Sequence, residues 1–155
     1  MSKLENALAR MAGHRVYIDT NVFIFFLERT DALFAVAAPF IQACASRELL
    51  GVTGELVMAE VMVHPYRSGD AALVARFKSF FTRKNFLTIA EHESRFFDDA
   101  AMLAGQKRLK LMDAIHYRTA LQAGCSFFLT HDHDFDAVAV GGGVEVMRLK
   151  DLIEA

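Results

Sequence analysis

Two kinds of hydrophobic pattern alternate along this chain. Short runs of β-branched and aromatic residues, typical of buried strands, are separated by longer segments with helical spacing. Because strands and helices alternate, the pattern predicts an α/β fold in which helices connect parallel strands. The predicted strands are 15–18, 50–52, 86–89, 126–129 and 144–147.

Capping and breaking residues set the expected helix ends. Asp70 is a plausible N-cap, and Gly124 suits the left-handed position just after a helix. Pro65 is expected to stop the helix that begins at Glu55, and Pro39 to kink another, because proline lacks a backbone N–H. The predicted helices are 2–11, 21–27, 33–46, 55–63, 70–83, 91–106 and 112–123.

Composition and charge narrow the class of protein. The 155 residues predict one domain, 1–155, in which residues 1–14 are a helical extension. With 54% apolar residues and 14 Phe, the chain is not intrinsically disordered, and it has more apolar surface than one core needs. The formal charge of −2 excludes a general nucleic-acid coating protein, so any contact with nucleic acid must be local.

Cysteine usage and hydropathy favour a cytoplasmic protein. Cys44 and Cys125 form no C-x-x-C pair, which excludes a disulfide scaffold or a thiolate zinc site. The first twelve residues lack the apolar segment of a signal peptide. The longest charge-free run, 33–46, is too short to cross a bilayer, so no membrane association is expected.

Four acidic residues lie inside or beside apolar segments. Asp19 follows the first predicted strand and Asp132 the fourth, whereas Glu60 and Asp113 lie in predicted helices. An ionised carboxylate in apolar surroundings is unfavourable unless it is paired, hydrogen-bonded or bound to a cation. These four residues are therefore the candidate functional residues.

Three of the four acids also have a simpler interpretation, whereas a solvent-facing Glu60 would need a polar stripe that its helix lacks. Asp19 can cap the helix that begins at Asn21, Asp113 can stabilise a helix N-terminus, and Asp132 can be an ordinary loop residue. Geometry nevertheless favours a shared site. Asp19 and Asp132 both follow the carboxyl ends of parallel strands, which is the edge where open α/β sheets bind ligands.

A set of carboxylates without thiolates indicates a hard divalent cation, Mg²⁺ or Mn²⁺. Such ions suit phosphoryl chemistry, and the sequence has no phosphate-binding glycine loop or nucleophile elbow that would suggest another reaction. His116, His131 and His133 are interpreted as supporting or surface residues rather than ligands. Crowding of the acids and burial of Glu60 are expected to raise carboxyl pKa values, which metal binding would offset.

The segments YIDTNVFI, ELVMAEVMVHPYRSGD and LMDAIHYRTALQAGCSFFLTHDHDF carry a family resemblance. Together they resemble the PIN-domain nucleases, in particular the bacterial subgroup that includes the toxins of toxin–antitoxin pairs. The resemblance runs from about residue 15 to 135 and rests on four acids in matching order and context. It implies a three-layer fold with a twisted parallel sheet of about five strands between helices.

The resemblance also implies roles for individual residues. Asp19, Asp113 and Asp132 would hold the metal directly, while Glu60 would complete its coordination or orient the attacking water. The residues expected to position these groups are Thr20, Asn21, Thr130, Asp134 and His116, and Asp134 is also a possible ligand of a second metal.

The implied activity is Mg²⁺- or Mn²⁺-dependent cleavage of RNA by a cytoplasmic homodimer, which would have an antitoxin protein as partner if it is a toxin.

Residues 2–14 depart from the family pattern, because many relatives begin near the first acid, and this segment could modify dimerisation or partner binding. The candidate RNA-phosphate contacts are Arg67, Arg76, Arg83, Lys84, Lys107, Arg108 and Lys110, although each of these cations could equally belong to a solvated face.

Three alternatives differ from this interpretation. A haloacid-dehalogenase-like phosphatase requires D-x-D after its first strand, whereas Thr20 and Asn21 follow Asp19. A phosphoacceptor receiver domain requires an acidic pair at that strand and a late lysine. The third alternative is a PIN fold that binds RNA or protein without catalysis, and the four intact acids argue against it.

Overall fold

One parallel five-stranded sheet, flanked by helices, organises the computed structural model of this chain. The structure describes residues 1–29, 31–83, 86–139, 141 and 143–154. The predicted five parallel strands and the α/β fold are confirmed. The strands are β1 (Arg15–Ile18), β2 (Leu50–Gly54), β3 (Thr88–Ala90), β4 (Phe127–Thr130) and β5 (Glu145–Arg148), in the order β3-β2-β1-β4-β5.

The central strand β1 determines where the functional residues lie. It pairs with β2 on one side and with β4 on the other, and Ile18 is in register with Leu129. Asp19 and Thr130, the next residues of the two strands, are therefore neighbours at the carboxyl edge of the sheet. All three residues Val16, Tyr17 and Ile18 are fully buried, as expected for a strand covered on both faces.

Seven α-helices and two 3₁₀ helices lie within the described residues. Ala7 and Met11 of the first helix are part of the main hydrophobic core, so this N-terminal segment packs against the rest of the fold. The helices are α1 (Lys3–Met11), α2 (Thr20–Glu28), α3 (Asp31–Ala45), α4 (Glu55–Ser68), α5 (Ala71–Phe81), α6 (Phe96–Lys107) and α7 (Leu111–Gln122), with 3₁₀ helices at His133–Val138 and Leu149–Leu152.

Two predicted helix boundaries are wrong. α4 continues through Pro65 to Ser68, because Pro65 is buried against the core and the left-handed Gly69 (φ +70°) ends the helix instead. α6 begins at Phe96 rather than at residue 91, because Arg95 has a left-handed backbone (φ +71°) that a helix cannot contain. α3 contains Pro39 in its interior, as the predicted helix does.

Two predicted caps are confirmed. Asp70 caps α5 by accepting hydrogen bonds from the backbone N–H groups of Ala72 and Leu73 at 3.0 and 3.2 Å. Gly124 has φ +70° just after α7, a backbone conformation that glycine adopts without strain. Among the described residues, no helix combines the length and apolar character needed to cross a bilayer.

Candidate active site

Asp19 lies at the centre of the carboxyl edge and is 4% exposed. As the N-cap of α2, it accepts a hydrogen bond from the Thr20 N–H at Oδ1 (2.8 Å). Its Oδ2 accepts the Thr130 hydroxyl, also at 2.8 Å. Burial raises the pKa of Asp19 above its ordinary value, although His116 and these hydrogen bonds oppose the rise. The capping interpretation is therefore correct, but it leaves unexplained why this carboxylate is buried among other ionisable groups.

Asn21 and Thr130 connect Asp19 to the loop after β4. The Asn21 carbonyl accepts the backbone N–H of His131 at 3.0 Å, while its amide lies 3.4 Å from the Thr130 hydroxyl. The Thr130 hydroxyl also accepts the backbone N–H of Asp132 at 3.0 Å. These bonds determine how the loop leaves the strand, and so they place Asp132 beside the sheet edge.

Asp113, Asp132 and Asp134 form an acidic cluster. Each contributes one carboxylate oxygen, and these oxygens all lie within 4.8 Å of one another. Asp113 comes from the first turn of α7, while Asp132 and Asp134 come from the loop after β4, where Asp132 Oδ1 accepts the Asp134 N–H at 2.9 Å. The structure thus brings two predicted metal ligands together with Asp134, which the resemblance placed as a positioning residue or second-metal ligand.

The electrostatics of Asp113 show how crowded this cluster is. Its Oδ2 is buried and has no hydrogen-bond partner among the described residues. Burial, followed by the negative charges of Asp132, Asp134 and Asp19, raises the pKa of Asp113 to about 6. A buried acceptor without a partner is costly, and a cation is the ligand that would compensate both the missing bond and the repulsion.

Glu60 lies outside this cluster, in a second group of hydrogen bonds. Its Oε1 accepts the Thr20 hydroxyl at 2.7 Å and lies 2.6 Å from His116 Nε2. Burial disfavours the charge of Glu60, but its bonds from His116 and Thr20 outweigh burial and lower its pKa. The expectation that burial would raise the pKa of Glu60 is therefore wrong, because the sequence does not reveal these two donors.

His116 connects this group to the sheet. It is 3% exposed, and its Nε2 lies 3.8 Å from Asp19 Oδ1. Burial would lower the pKa of His116, but the hydrogen bond to Glu60 and the charges of Asp19 and Glu60 outweigh it, so the net shift is upward. His116 Nδ1 lies 2.9 Å from the hydroxyl of Tyr17, which sequence analysis assigned only to a strand. The sequence offered one indication of a role for Tyr17, which carries a hydroxyl group and lies two positions before Asp19.

His131 and His133, the two other histidines named as candidates, lie in the segment after β4. The ring of His131 packs edge-on against Phe25, with centroids 5.1 Å apart. His133 is exposed and lies 2.8 Å from both the Arg148 guanidinium and the Lys150 amine. Neither histidine belongs to the acidic cluster.

The candidate phosphate-binding cations are spread over several surfaces. Lys110 is the nearest to the acidic cluster, with its amine 3.4 Å from Asp134 Oδ2. Arg76 and Arg83 line a groove between helices, and Lys84 lies outside the described residues. The remaining candidates are exposed near the ends of α4 and α6, at Arg67, Lys107 and Arg108.

Two grooves lie between helices of the fold. The first, of about 820 Å³, is lined by residues of α2 to α5 and the segments that follow α2 and α5. Among the described residues, its wall includes Phe26, Phe34 and Phe77, the cations Arg29, Arg76 and Arg83, and the carboxylate of Glu28. The second groove, of about 500 Å³, lies between α4 and α5 and is almost entirely apolar, with Met58, Met62, Val63, Tyr66 and Phe81 among its lining residues.

Comparison with known proteins identifies the shared architecture. Residues 16–141 match the family model described as the PIN domain. No curated protein matches the sequence significantly.

Solved structures with the same fold include several bacterial proteins. A toxin–antitoxin complex from Klebsiella pneumoniae has a TM-score of 0.62 and 19% identity, covering 86% of this chain and 97% of that chain. VapC20 of Mycobacterium tuberculosis, a toxin that cleaves the sarcin–ricin loop, has a TM-score of 0.61 and 15% identity over 81% and 95% of the two chains. VapBC2 of Rickettsia felis, bound to promoter DNA, has a TM-score of 0.64 and 12% identity over 86% and 98%. At these identities the similarity demonstrates the fold.

Proposed function

The chain belongs to the PIN-domain family, and from that premise we propose that it is a divalent-metal-dependent endoribonuclease. The observation that carries the proposal is the acidic cluster, in which Asp113 has a buried oxygen without a partner. The VapC20 toxin, which shares the fold, is described as cleaving an RNA loop, and this supports RNA as the substrate.

The residues present fit a hard divalent cation. The donors that converge are carboxylate oxygens, with no thiolate among them, which favours Mg²⁺ or Mn²⁺. Asp113, Asp132 and Asp134 would hold the ion, with Asp19 the next carboxylate along the edge. When bound, such an ion would neutralise phosphate charge and make water a better nucleophile.

Glu60 is suited to act as the proton acceptor of the reaction. Both of its hydrogen bonds end on Oε1, and among the described residues none ends on Oε2. Its side chain is 37% exposed, so water can approach Oε2. Its hydrogen bonds lower its pKa and keep this carboxylate ionised, so it can accept a proton from the attacking water, although the lowered pKa also makes it a weaker base.

Lys110 is the first cation that an RNA phosphate would meet beside the acidic cluster. Its side chain is 80% exposed, so the amine can exchange Asp134 for a phosphate oxygen at little cost. Arg67, Arg76, Arg83, Lys107 and Arg108 remain predicted phosphate contacts further along the surface.

A toxin role would require a protein partner, and the larger groove suits one. The groove combines phenylalanine side chains with an excess of arginines, which is complementary to an acidic amphipathic helix. Two of the similar structures are the toxin–antitoxin complex from Klebsiella pneumoniae and VapBC2 of Rickettsia felis. Titration of the chain with a designed acidic amphipathic peptide tests this assignment, because Arg76→Glu should weaken the binding of the peptide whereas Lys107→Glu should not.

Cleavage of RNA tests the proposed activity directly. Purified protein should cut a labelled RNA in Mn²⁺, EDTA should stop the reaction, and Asp113→Asn should abolish it without changing the circular dichroism spectrum. Glu48→Gln is the matched control, because it neutralises an exposed carboxylate just before β2, at the opposite edge of the sheet. RNA binding without cleavage would instead favour a binding module, and release of phosphate from a phosphomonoester would favour another phosphohydrolase.

A further inference from the structure

The hydroxyl of Tyr17 is an unexpected polar group in the middle of the sheet. The Tyr17 side chain is fully buried, and its ring stacks on Phe128 with centroids 5.0 Å apart. Among the described residues, the hydroxyl makes one hydrogen bond, to His116 Nδ1 at 2.9 Å. A phenylalanine would pack equally well at this position, so packing alone does not explain the hydroxyl.

The hydrogen bonds of His116 form a continuous path from Tyr17 to Glu60. His116 Nε2 lies 2.6 Å from Glu60 Oε1. An ionised carboxylate accepts hydrogen bonds and cannot donate them, so Nε2 must carry a proton. The tyrosine hydroxyl can donate to Nδ1 or accept from it, so it satisfies the second nitrogen whichever form the ring adopts.

These contacts restrict the rotation of both the ring and the carboxylate. With both nitrogens bonded, the imidazole of His116 cannot turn without breaking a buried hydrogen bond. The Thr20 hydroxyl approaches the same Glu60 oxygen from α2, at 2.7 Å. Oε1 is thus held from two sides, and Oε2 is the oxygen left for water.

We propose that Tyr17 and His116 are a positioning pair that fixes the carboxylate of Glu60 for the reaction. This inference rests on the proposed function, in which Glu60 accepts a proton from the attacking water. Tyr17 and His116 are 0% and 3% exposed, so neither can touch RNA. They act on the reaction only through Glu60.

Tyr17→Phe tests the pair, because it removes the hydroxyl and keeps the stacked ring. The structure also offers a matched control in Tyr117, which is buried, packs on the same Phe128 and bonds its hydroxyl to the Val144 carbonyl at 3.0 Å. Both variants lose one buried hydroxyl, but only Tyr17→Phe breaks the path to Glu60. We expect Tyr17→Phe to lower kcat about 10- to 100-fold with KM for RNA unchanged, and Tyr117→Phe to retain the wild-type kcat.

Nitrogen chemical shifts of His116 provide a second readout that requires neither RNA nor metal. In the wild type, Nε2 should be protonated and the ring should occupy a single state. In Tyr17→Phe, the Nδ1 resonance should shift and exchange broadening should appear, whereas Tyr117→Phe should reproduce the wild-type spectrum.

The two readouts separate this inference from the proposed nuclease activity. If the wild type cleaves no RNA but the His116 resonances change as expected, the activity is wrong and the hydrogen-bonded pair stands. If the wild type cleaves RNA and Tyr17→Phe matches it in both kcat and His116 shifts, the positioning role is overturned. Equal losses of kcat in Tyr17→Phe and Tyr117→Phe would also overturn it, since a general loss of stability would then explain both.

Discussion

Thr130 donates its hydroxyl to Asp19 at 2.8 Å, and this bond joins the carboxyl ends of two adjacent strands. The same hydroxyl oxygen accepts the backbone N–H of Asp132 at 3.0 Å. The buried side chain of Thr130 thus holds both the carboxylate of Asp19, which follows β1, and the segment after β4 that carries Asp132 and Asp134. The geometry of the site depends on this residue as much as on the acids themselves.

Replacement of Thr130 by Val should therefore destabilise the fold and disturb the site together. Valine has the same shape but leaves Asp19 Oδ2 and the Asp132 N–H without their main partner, at a cost of about 1–3 kcal/mol. Urea denaturation measures the loss. Thr88→Val, at an exposed position in β3, is the control and should change the free energy of unfolding little. Equal stabilities of the two variants would contradict the importance of this bond.

Metal binding should stabilise the wild-type protein by about 2.7 kcal/mol at 100 times the dissociation constant, provided that the unfolded chain does not bind the ion. Asp132→Asn removes charge without changing volume, and its Oδ1 can still accept the Asp134 N–H. Without metal, this variant should unfold at or above the wild-type temperature, because repulsion is relieved, and in Mn²⁺ it should lose most of the shift. Thermal melts with equal Mn²⁺-induced shifts would show that Asp132 is not a ligand.

The pH dependence of stability should reveal Asp113. Its pKa is raised from 3.8 to about 6 in the folded protein, so the folded state binds the proton more tightly than the unfolded state. Without metal, its contribution to stability must therefore fall as the pH rises from about 4 to about 6, and remain low above that range. Asp113→Asn lacks this titration, so its advantage over the wild type should grow across the same window. Denaturation at several pH values measures the difference, and a constant difference would contradict the raised pKa.

The apolar groove between α4 and α5 is where we expect a second copy of the chain to bind. Val63 is 45% exposed there, beside Met62 and Tyr66. Val63→Asp would bury a charge in such an interface and should convert a dimer into a monomer, as measured by light scattering at micromolar concentration. Met102→Asp is the control, because Met102 is at least as exposed as Val63 but lies on α6. A wild-type protein that is monomeric at these concentrations would contradict the expectation.

Much of the sheet edge could be predicted from local sequence. The strands are short apolar runs bounded by turn residues, and the rule that parallel strands end at one edge predicted that Asp19 and Asp132 share an edge, where Thr130 now bonds to both. Sequence also located Asp113 at the start of a helix, which is where α7 presents it. These features depend on nearest neighbours in the chain, and so a local pattern reveals them.

The division of the site into two groups could not be predicted, because it depends on long-range contacts. Glu60 is hydrogen-bonded to His116, 56 residues further along the chain, and to Thr20, 40 residues before it. A helix rich in apolar residues suggested a buried carboxylate, but it did not indicate these partners. Tyr17 was missed for the same reason, since its hydroxyl is 99 residues from His116 in the sequence.

Asp19 and Thr130 are separated by 111 residues, and this separation determines the stage of protein synthesis at which the site can form. During synthesis, β1 and β2 emerge early, but β1 remains a sheet edge until β4 leaves the ribosome and pairs with it. Domains generally fold as units during synthesis, so this sheet cannot be complete before β4 has emerged. A nascent chain that lacks β4 and the segment after it also lacks Asp132 and Asp134, so the proposed nuclease activity could begin only after these residues have left the ribosome.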